Sequence, residues 1–439
     1  MSKQRPSADS AIHRLADGTV KQRNLLTGTE VWTVPGRGHR PLQPAGEQPT
    51  PIDHTRDGHH CAFCESRYLE TPPEKARLVR DADGSWRELT GLPAEHLDDT
   101  VAEFRRIPNL FEIVSYNYWL LNHGHVPSEA EHRRMAQYLA SSQGYDHVLG
   151  VVRARLRASG MDQADFAALS DSDLLRQANG FFSGGHDLII GRRHFVDGAQ
   201  DSSQLASSGT LSPEEHHQYT AFTARSMADL YGLDPAVRYV ATFQNWLKAA
   251  GASFDHLHKQ LVAIDDHSVQ TQAELDRLRK DPDIYAEILK VAATRKLLVA
   301  QNDHAVAMAG FGHRYPTLAV WPLHAPRNPW EVDEEVMRAT SDLLHAMHAA
   351  TGSGVPCNEE WYHRPPDMEV PMRWRILLKW RISTIAGFEG GTRIYLNTLD
   401  PWAVHQRVLE SLTRMREAGA IAPMRLGEEC RVSPDLLRD

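Results

Sequence analysis

The sequence predicts an α+β fold, in which antiparallel strands and helices follow one another in blocks. Strands come first, a long amphipathic helix begins at "LSPEEHHQY", and two further strands flank a glycine loop in "FQNWLKAAGASFDHLHKQLVAI". From about residue 270 a similar succession of helices and strands restarts. Strands grouped in this way favour an α+β arrangement over a doubly wound parallel sheet.

The length, composition and charge limit the function classes. The chain has 439 residues, 41% of them hydrophobic and 24% charged, which is typical of a globular protein. Its net charge of −9 gives no electrostatic footprint for broad nucleic-acid binding. No window approaches the roughly 18–20 apolar residues of a membrane span, and the N-terminus lacks the apolar core of a signal peptide. We therefore expect a cytoplasmic protein that binds neither nucleic acid nor a membrane.

Local patterns predict the elements of the first half. Residues 18–33 alternate like a hairpin with its turn at Thr27-Gly28. A strand is predicted within "FRRIPNLFEIVS", residues 104–115, and helices over about 128–177, where apolar residues recur at helical spacing. The stretch "GGHDLIIGRRHFVDG" predicts a buried strand followed by a turn that carries His194.

The long helix has a clear start signal, with Ser212 or Thr210 as its cap, Pro213 in its first turn and two glutamates after it. Beyond it, the pattern predicts helices near 270–297 and strands near 304–322. A helix within "NPWEVDEEVMRATSDLLHAMHAA", strands near 372–396 and a closing helix in "DPWAVHQRVLESLTRMREAG" complete the second half.

The segment "GASFDHLHKQLVAID", residues 251–265, raises the main functional question. Its apolar residues alternate with His256, His258 and Gln260, so a strand would place these three polar side chains on one face. Two imidazoles and an amide on one face can bind a metal, attack an electrophile and hold a phosphate oxygen, or form a polar outer surface.

A cysteine pair points to metal or redox chemistry. Two of the four cysteines form Cys61-x-x-Cys64, which can aim two thiolates at one ion. Zinc then needs two further ligands, commonly imidazoles, but the chain has 24 histidines and spacing does not identify the pair. A reduced cysteine pair without a metal is the alternative.

Several motifs together resemble the galactose-1-phosphate uridylyltransferase family, the nucleotidyl-transferring branch of the histidine triad superfamily. The family pattern of an Asn, a glycine turn with a Ser, and His-x-His-x-Gln is similar to Asn245, Gly251, Ser253 and residues 256–260. Other segments resemble the family in the same order, namely "PGRGHRPL", "CAFC", "RIPNLFEIV", "GHDLIIGRRHF" and "GFEGGTRIYLN".

The resemblance implies two histidine-triad-like halves, each an antiparallel sheet with packed helices. Residues 18–268 would form the catalytic half, with a helical insertion near 128–177, and residues 269–425 the second half. We expect residues 1–17 to be a disordered N-terminus and residues 426–439 a tail.

The resemblance also implies roles for individual residues. His258 would be the nucleophile, and Gln260 and Ser253 would donate hydrogen bonds to phosphate oxygens. A structural zinc ion would be bound by Cys61, Cys64, His194 and His256. The implied substrate-binding residues are Arg37, Arg40, Asn109, Asn245, Phe388 and Glu389. The last two would come from the other subunit of a homodimer.

The implied activity is that of a nucleotidyltransferase, which moves a nucleoside monophosphate between a nucleotide sugar and a sugar 1-phosphate through a covalent nucleotidyl-histidine, as in galactose metabolism. Hydrolytic members of the superfamily have a third histidine where Gln260 stands. Because glutamine cannot shuttle a proton, transfer is favoured over hydrolysis.

Two alternatives stay open. One is a phosphorylase that cleaves a dinucleoside polyphosphate or an ADP-sugar with the same histidine. The other is a catalytically silent, zinc-stabilised nucleotide-binding protein. A second metal site of the family uses a His-x-His where this chain has Leu377 and Lys379, so we do not expect that metal.

Overall fold

The computed structural model describes residues 11–36, 48–324 and 328–437. The strands are β1 Ile12–Arg14, β2 Val20–Arg23, β3 Glu30–Thr33, β4 Ala76–Arg80, β5 Trp86–Thr90, β6 Ala102–Pro108, β7 His186–Gly191, β8 Tyr239–Trp246, β9 His258–Ile264, β10 Leu298–Gln301, β11 Ala305–Gly310, β12 Thr317–Pro322, β13 Cys357–Tyr362, β14 Arg375–Trp380, β15 Ile394–Leu396 and β16 Arg425–Leu426.

The helices are α1 Tyr116–His123, α2 Glu129–Leu139, α3 Ser142–Ala158, α4 Gln163–Ala168, α5 Asp171–Arg176, α6 Asn179–Ser183, α7 Pro213–Tyr231, α8 Val269–Leu278, α9 Ile284–Thr294, α10 Glu334–Thr351, α11 Gly387–Thr392 and α12 Pro401–Glu417. None of these helices, which cover the described ranges only, has both the length and the apolar character needed to cross a bilayer.

One antiparallel sheet of twelve strands dominates the fold, in the order β16-β10-β11-β12-β14-β13-β8-β9-β7-β6-β4-β5. Strands β4 to β9 come from the first half of the chain, and the other six come from the second half. The two halves meet where β8 pairs with β13, with Asn245 opposite Asn358. The α+β class is therefore confirmed, and the two predicted sheets are joined edge to edge into one.

Helix α7 covers one face of this sheet and starts where the sequence predicts. The Ser212 hydroxyl accepts from the N–H of Glu215, and the Glu215 carboxylate accepts from the N–H of Ser212, which satisfies two donors of the first turn. Tyr219, Phe222 and Met227 are fully buried in the main core. Helix α10 packs beside α7, so the two long helices seal the side of the sheet that faces away from His258.

The helical segment between β6 and β7 has a small core of its own, as Val148, Val152, Phe181 and Phe182 form a hydrophobic cluster separate from the main one. Helices α2 to α5 agree with the predicted helices over 128–177, while α1 and α6 lie just outside that range. The segment therefore packs as an attachment beside the sheet.

A second sheet has four strands in the order β1-β2-β3-β15. It connects the first three strands of the chain to the second half, because β15 pairs with β3 in parallel. Its first strand begins at Ile12, which is fully buried and pairs with Gln22. Residues 11–17, part of the segment 1–17 that composition predicts to be disordered, therefore include a paired strand. At the other end, Leu437 is also buried, so the predicted tail packs against the fold.

Two strand predictions extend too far. The strand predicted over 104–115 ends at Pro108, since the Asn109 side chain turns back to accept from the N–H of Phe111. The strand predicted over 251–265 begins only at His258, so His256 precedes it rather than sharing its face. The reason for the second difference lies in the contacts of His256.

Candidate active site and metal centre

The connection between β8 and β9 gives His256 and His258 different contacts, although both are buried. Leu247 and Gly251 both have positive φ, 65° and 92°, and only the glycine adopts that conformation without strain. The chain then passes through His256 and enters the strand at His258. The two imidazoles are thereby assigned to separate surroundings.

His258 is held as a neutral imidazole with a defined tautomer. Its Nδ1 lies 2.7 Å from the carbonyl oxygen of His256, and because a carbonyl only accepts, Nδ1 must carry the proton. The Nε2 atom is therefore left with its lone pair. Burial lowers the pKa of His258 to about 4, and the Phe63 ring lies 5.3 Å away, centroid to centroid. A neutral, oriented imidazole is what a nucleophile requires.

Asn245 lies beside His258 on the neighbouring strand. The register that pairs Phe243 with Gln260 brings Asn245 opposite His258 two residues further along. The Asn245 Oδ1 accepts from Asn358 Nδ2 at 2.7 Å, which links this row to the second half. Since that bond uses its oxygen, the amide NH₂ of Asn245 is the group able to donate elsewhere.

Gln260 is oriented by a histidine that the sequence motifs did not single out. The N–H of Ile113 donates to Nδ1 of His186 at 3.0 Å, so the proton of this neutral ring is on Nε2. Nε2 in turn lies 3.2 Å from Oε1 of Gln260, and Asn109 Nδ2 is 3.0 Å from the same nitrogen. Burial lowers the pKa of His186 to about 4, which keeps it uncharged. With its oxygen engaged, Gln260 directs its NH₂ group to the site.

The other implied residues are more scattered. Ser253 is exposed in the connection between β8 and β9, three residues before the metal ligand candidate His256. Phe388 and Glu389 lie on α11, where Phe388 is 6.4 Å from the Trp32 ring and Glu389 accepts from the N–H of Ala386. No contact joins them to His258 in the described part of the chain. Arg37 and Arg40 lie outside the described residues.

Four side chains form a group that is able to hold a metal ion, namely Cys61, Cys64, His194 and His256. Their ligand atoms all lie within 4.8 Å of one another. His256 Nε2 is 2.7 Å from the carbonyl of Gly191 and must donate to it, so Nδ1 faces the group as a lone pair. The group also explains why His256 leaves the strand face, since its ring turns toward the cysteines.

Behind His258, the sheet is braced by a buried charge cluster. Lys259 points to the opposite face, where its ammonium pairs with the Glu359 carboxylate of β13. The same carboxylate accepts from His348 Nε2 at 2.7 Å and from Trp361 Nε1 at 2.5 Å. Because Lys259 is on β9 and Glu359 is on β13, the cluster connects the strand that carries His258 to the second half of the chain.

A family comparison covers nearly the whole chain. Residues 15–439 match the model of a family described as a domain of unknown function, DUF4921. The chain belongs to the DUF4921 family.

Among curated proteins, an ADP-glucose phosphorylase of Arabidopsis thaliana is 25% identical to the DUF4921 chain over 179 residues. These residues are 38% of the DUF4921 chain and 50% of the phosphorylase. The chain thus spans half the length of the curated relative that it matches.

Solved structures show the same architecture. The crystal structure of an ADP-glucose phosphorylase from Arabidopsis thaliana with bound ADP-glucose has a TM-score of 0.57 at 18% identity, covering 89% of the DUF4921 chain and 98% of its own. A GalT-like protein from Arabidopsis thaliana has a TM-score of 0.56 at 18% identity with the same coverage. At these identities the likeness establishes the fold, and the predicted resemblance to uridylyltransferase-like proteins is confirmed.

Proposed function

We propose that this DUF4921 chain is a nucleotidyl-transferring enzyme that moves a nucleoside monophosphate from a nucleotide sugar to a phosphate-bearing acceptor. The observation that carries the proposal is His258, a buried neutral imidazole whose Nδ1–H is held by a carbonyl, leaving Nε2 as a free nucleophile. The similar ADP-glucose phosphorylase of Arabidopsis thaliana binds ADP-glucose, a nucleotide sugar, in its crystal structure, which agrees with this substrate class.

The chemistry follows from the side chains. The Nε2 lone pair attacks the α-phosphorus, the bond from that phosphorus to the bridging oxygen breaks, and sugar 1-phosphate leaves with the electron pair. A phosphate oxygen of the acceptor then attacks the same phosphorus and the N–P bond breaks. Both leaving groups are weak bases, so neither step needs the general acid that Gln260 lacks. The NH₂ groups of Gln260 and Asn245 donate to the phosphate oxygens as charge develops.

Inorganic phosphate is the second candidate acceptor, which would make the protein a phosphorylase. The similarity to ADP-glucose phosphorylase in both sequence and fold favours it. The two reactions share the covalent step on His258 and differ only in what occupies the acceptor position. A sugar 1-phosphate and inorganic phosphate offer the same attacking oxygen.

Zinc is the proposed occupant of the Cys61, Cys64, His194 and His256 group. A tetrahedral Zn²⁺ bound at its usual distances needs ligand atoms about 3.8 Å (S–S), about 3.5 Å (S–N) and about 3.3 Å (N–N) apart. The S–S distance is 3.8 Å, three of the four S–N distances are 3.4, 3.7 and 3.9 Å, and the N–N distance is 3.2 Å. Four protein ligands leave no open position, so this metal would stabilise the structure rather than take part in the reaction.

A homodimer is also proposed, with Phe388 and Glu389 of one subunit facing the nucleotide of the other. The support is the resemblance of "GFEGGTRIYLN" to a family segment that crosses the subunit interface. In this chain Phe388 is 43% exposed and remote from His258, as such a role requires. A monomer that keeps full activity on dilution would contradict this arrangement.

The experiment incubates the protein with a panel of nucleotide sugars and dinucleoside polyphosphates carrying a labelled α-phosphate. We expect label on His258 from at least one donor, and its release on addition of a sugar 1-phosphate or inorganic phosphate. The acceptor that discharges the label separates transferase from phosphorylase. His132→Ala, which changes an exposed histidine of α2, is the matched control for His258→Ala. If no donor labels the protein, the silent zinc-stabilised nucleotide-binding protein becomes the better account.

A further inference from the structure

A second polar cavity lies over the second half of the sheet, on the same face as His258. Its volume is about 330 Å³, within the range of small-molecule sites. The hairpin loop with Thr27 and Thr29 forms one wall, and Lys379 and Arg381, at and just after the end of β14, form the other. A neighbouring cavity of about 430 Å³ extends from there to Asn245, and the two share four lining residues, Gln270, Asn358, Glu360 and Arg381.

Positive charge is concentrated in this cavity although the protein as a whole carries −9. Arg314, Lys379 and Arg381 line it, against the single carboxylate of Glu360, which pairs with Lys379. The guanidinium of Arg314 lies 5.2 Å from the Tyr395 ring centroid, and that of Arg381 lies 4.7 Å from the Tyr315 ring. Neither arginine forms an ion pair with a carboxylate in the described ranges, so both keep their charge for a ligand.

The donors of Arg381 are only partly used. Its Nη1 donates to Oδ1 of Asn358 at 2.7 Å, which fixes the plane of the guanidinium. Its Nε is buried, and no partner for it exists among the described residues. A buried guanidinium donor without an acceptor is costly, and an anion near this guanidinium would lower that cost through its charge.

The pKa of His313, which also lines the cavity, reflects its burial and the nearby positive charges. Burial together with the nearby Lys379 and Arg375 lowers this pKa to about 3. His313 therefore stays neutral and adds no charge. The Thr27 and Thr29 hydroxyls hydrogen-bond to each other at 2.8 Å, so the pair leaves one O–H as a neutral donor on the facing wall.

The cavity is separate from the covalent chemistry of the same chain. Asn245 pairs with Asn358, and Asn358 pairs with Lys379, so His258 and Lys379 are three strands apart in one row. Neighbouring strands are about 4.8 Å apart, which puts the two residues about 14 Å from each other. That distance is too long for a phosphate at Lys379 to attack a phosphorus bound at His258.

We propose that this cavity is a second binding site, which takes the phosphate group of a small phosphorylated molecule between Arg314, Lys379 and Arg381. Guanidinium groups match phosphate with two parallel N–H donors, and the ammonium of Lys379 adds a point charge. The remaining volume toward Thr27 and Thr29 accommodates the hydroxyl-bearing part of a phosphate monoester. The site is independent of the proposed nucleotidyl transfer.

Calorimetry with inorganic phosphate, glucose 1-phosphate and a nucleoside monophosphate tests the site on the full-length His258→Ala protein, which cannot turn over. We expect saturable binding that Arg314→Gln/Arg381→Gln weakens by about tenfold or more. Tighter binding of a monoester than of inorganic phosphate would show that the rest of the cavity contacts the ligand, while equal binding would assign the site to free phosphate. Unchanged phosphate binding in the double variant would overturn the proposal.

The matched control is Arg279→Gln/Lys280→Gln, which removes two exposed cations elsewhere on the chain. It should bind phosphate as the parent does, because only the net charge has changed. If it weakens binding as much as Arg314→Gln/Arg381→Gln, the attraction is general and no specific site exists. Should the double variant fold poorly, Arg314→Gln alone decides, since Arg314 is exposed and forms no ion pair in the described chain. Labelling of His258 is measured separately, so this proposal and the proposed function can fail independently.

Discussion

Strand β9 of the first half and strand β14 of the second half hold equivalent places beside the central pair β8 and β13, yet they carry opposite chemistry. On the shared face, β9 presents His258 and Gln260, both uncharged. On β14 the same face presents Arg375 and Lys379. One sheet thus carries a neutral imidazole on one side of its centre and fixed cations on the other.

The surroundings explain how each chemistry is kept. In the first half, burial alone keeps His258 neutral, and a backbone carbonyl orients it. On β14 of the second half, Arg375 and Lys379 each have a carboxylate partner, because an unpaired buried charge would be prohibitive. Arg375 pairs with Glu274, and although burial opposes it, that carboxylate raises the pKa of Arg375 above its usual value. The difference teaches that burial by itself can keep a histidine on a strand uncharged. A fully buried arginine such as Arg375 stays charged and therefore needs a carboxylate beside it.

The largest effects are expected from His258→Ala and His256→Ala, which should impair different properties of the protein. His258→Ala should lower turnover by about three orders of magnitude or more while metal content and the melting temperature stay near those of the parent. His256→Ala should instead lose metal and stability, and activity only as a consequence. Metal analysis, thermal unfolding and turnover are measured on both. His258→Gly should regain some turnover with free imidazole. If His258→Ala loses metal and His256→Ala keeps it, the roles are reversed.

In the second half, Arg375→Met should lower the free energy of unfolding by about 3–5 kcal/mol, because it leaves Glu274 buried and unpaired. Urea unfolding measures this. The double variant Glu274→Met/Arg375→Met is the control and should recover most of the loss, since both charges are gone. Labelling of His258 should survive in both. A loss of less than 1 kcal/mol in Arg375→Met would show that the pair is not buried as described.

Removal of the metal should destabilise the first half. A structural ion whose free concentration is 100 times its Kd adds about 2.7 kcal/mol to the free energy of unfolding. We expect chelation to lower the melting temperature and re-addition of zinc to restore it. Cys430→Ser, which changes a cysteine outside the metal group, should respond to chelator as the parent does. Insensitivity of the melting temperature to chelation, with no metal found in the protein, would contradict the zinc proposal.

The smallest effect concerns pH and the buried His363. Burial and the nearby Arg375 lower its pKa to about 3, against about 6.5 in the unfolded chain. The unfolded state therefore binds the proton first as pH falls, and stability present above pH 6.5 is lost toward pH 3. Between pH 7 and pH 5 the protonation of this histidine in the unfolded state should lower the free energy of unfolding by about 2 kcal/mol. His363→Phe should show a shallower decline than the parent in urea unfolding at the two pH values, and His132→Phe should show the parental one.

Local sequence patterns were enough for most of the helices and for singling out His256, His258 and Gln260 as candidate site residues. The capping box at Ser212 and the spacing in residues 256–260 are local information, because they depend on side chains within one turn or one strand. The Cys-x-x-Cys spacing singled out Cys61 and Cys64, and the resemblance to a family added His194; the structure places all three around His256. The roles of these residues remain proposals, while their proximity is a fact of the fold.

Only the tertiary structure decided which distant segments meet. Strand β13, which no pattern singled out, brings Asn358 to Asn245 and Glu359 to Lys259. His186 is directed at Gln260 by the pairing of β7 with β9. The strand predicted from alternation failed at His256 because a contact to Cys61, 195 residues away, turns the ring out of the strand. Pairing and burial of this kind depend on residues far apart in sequence, so no local period contains them.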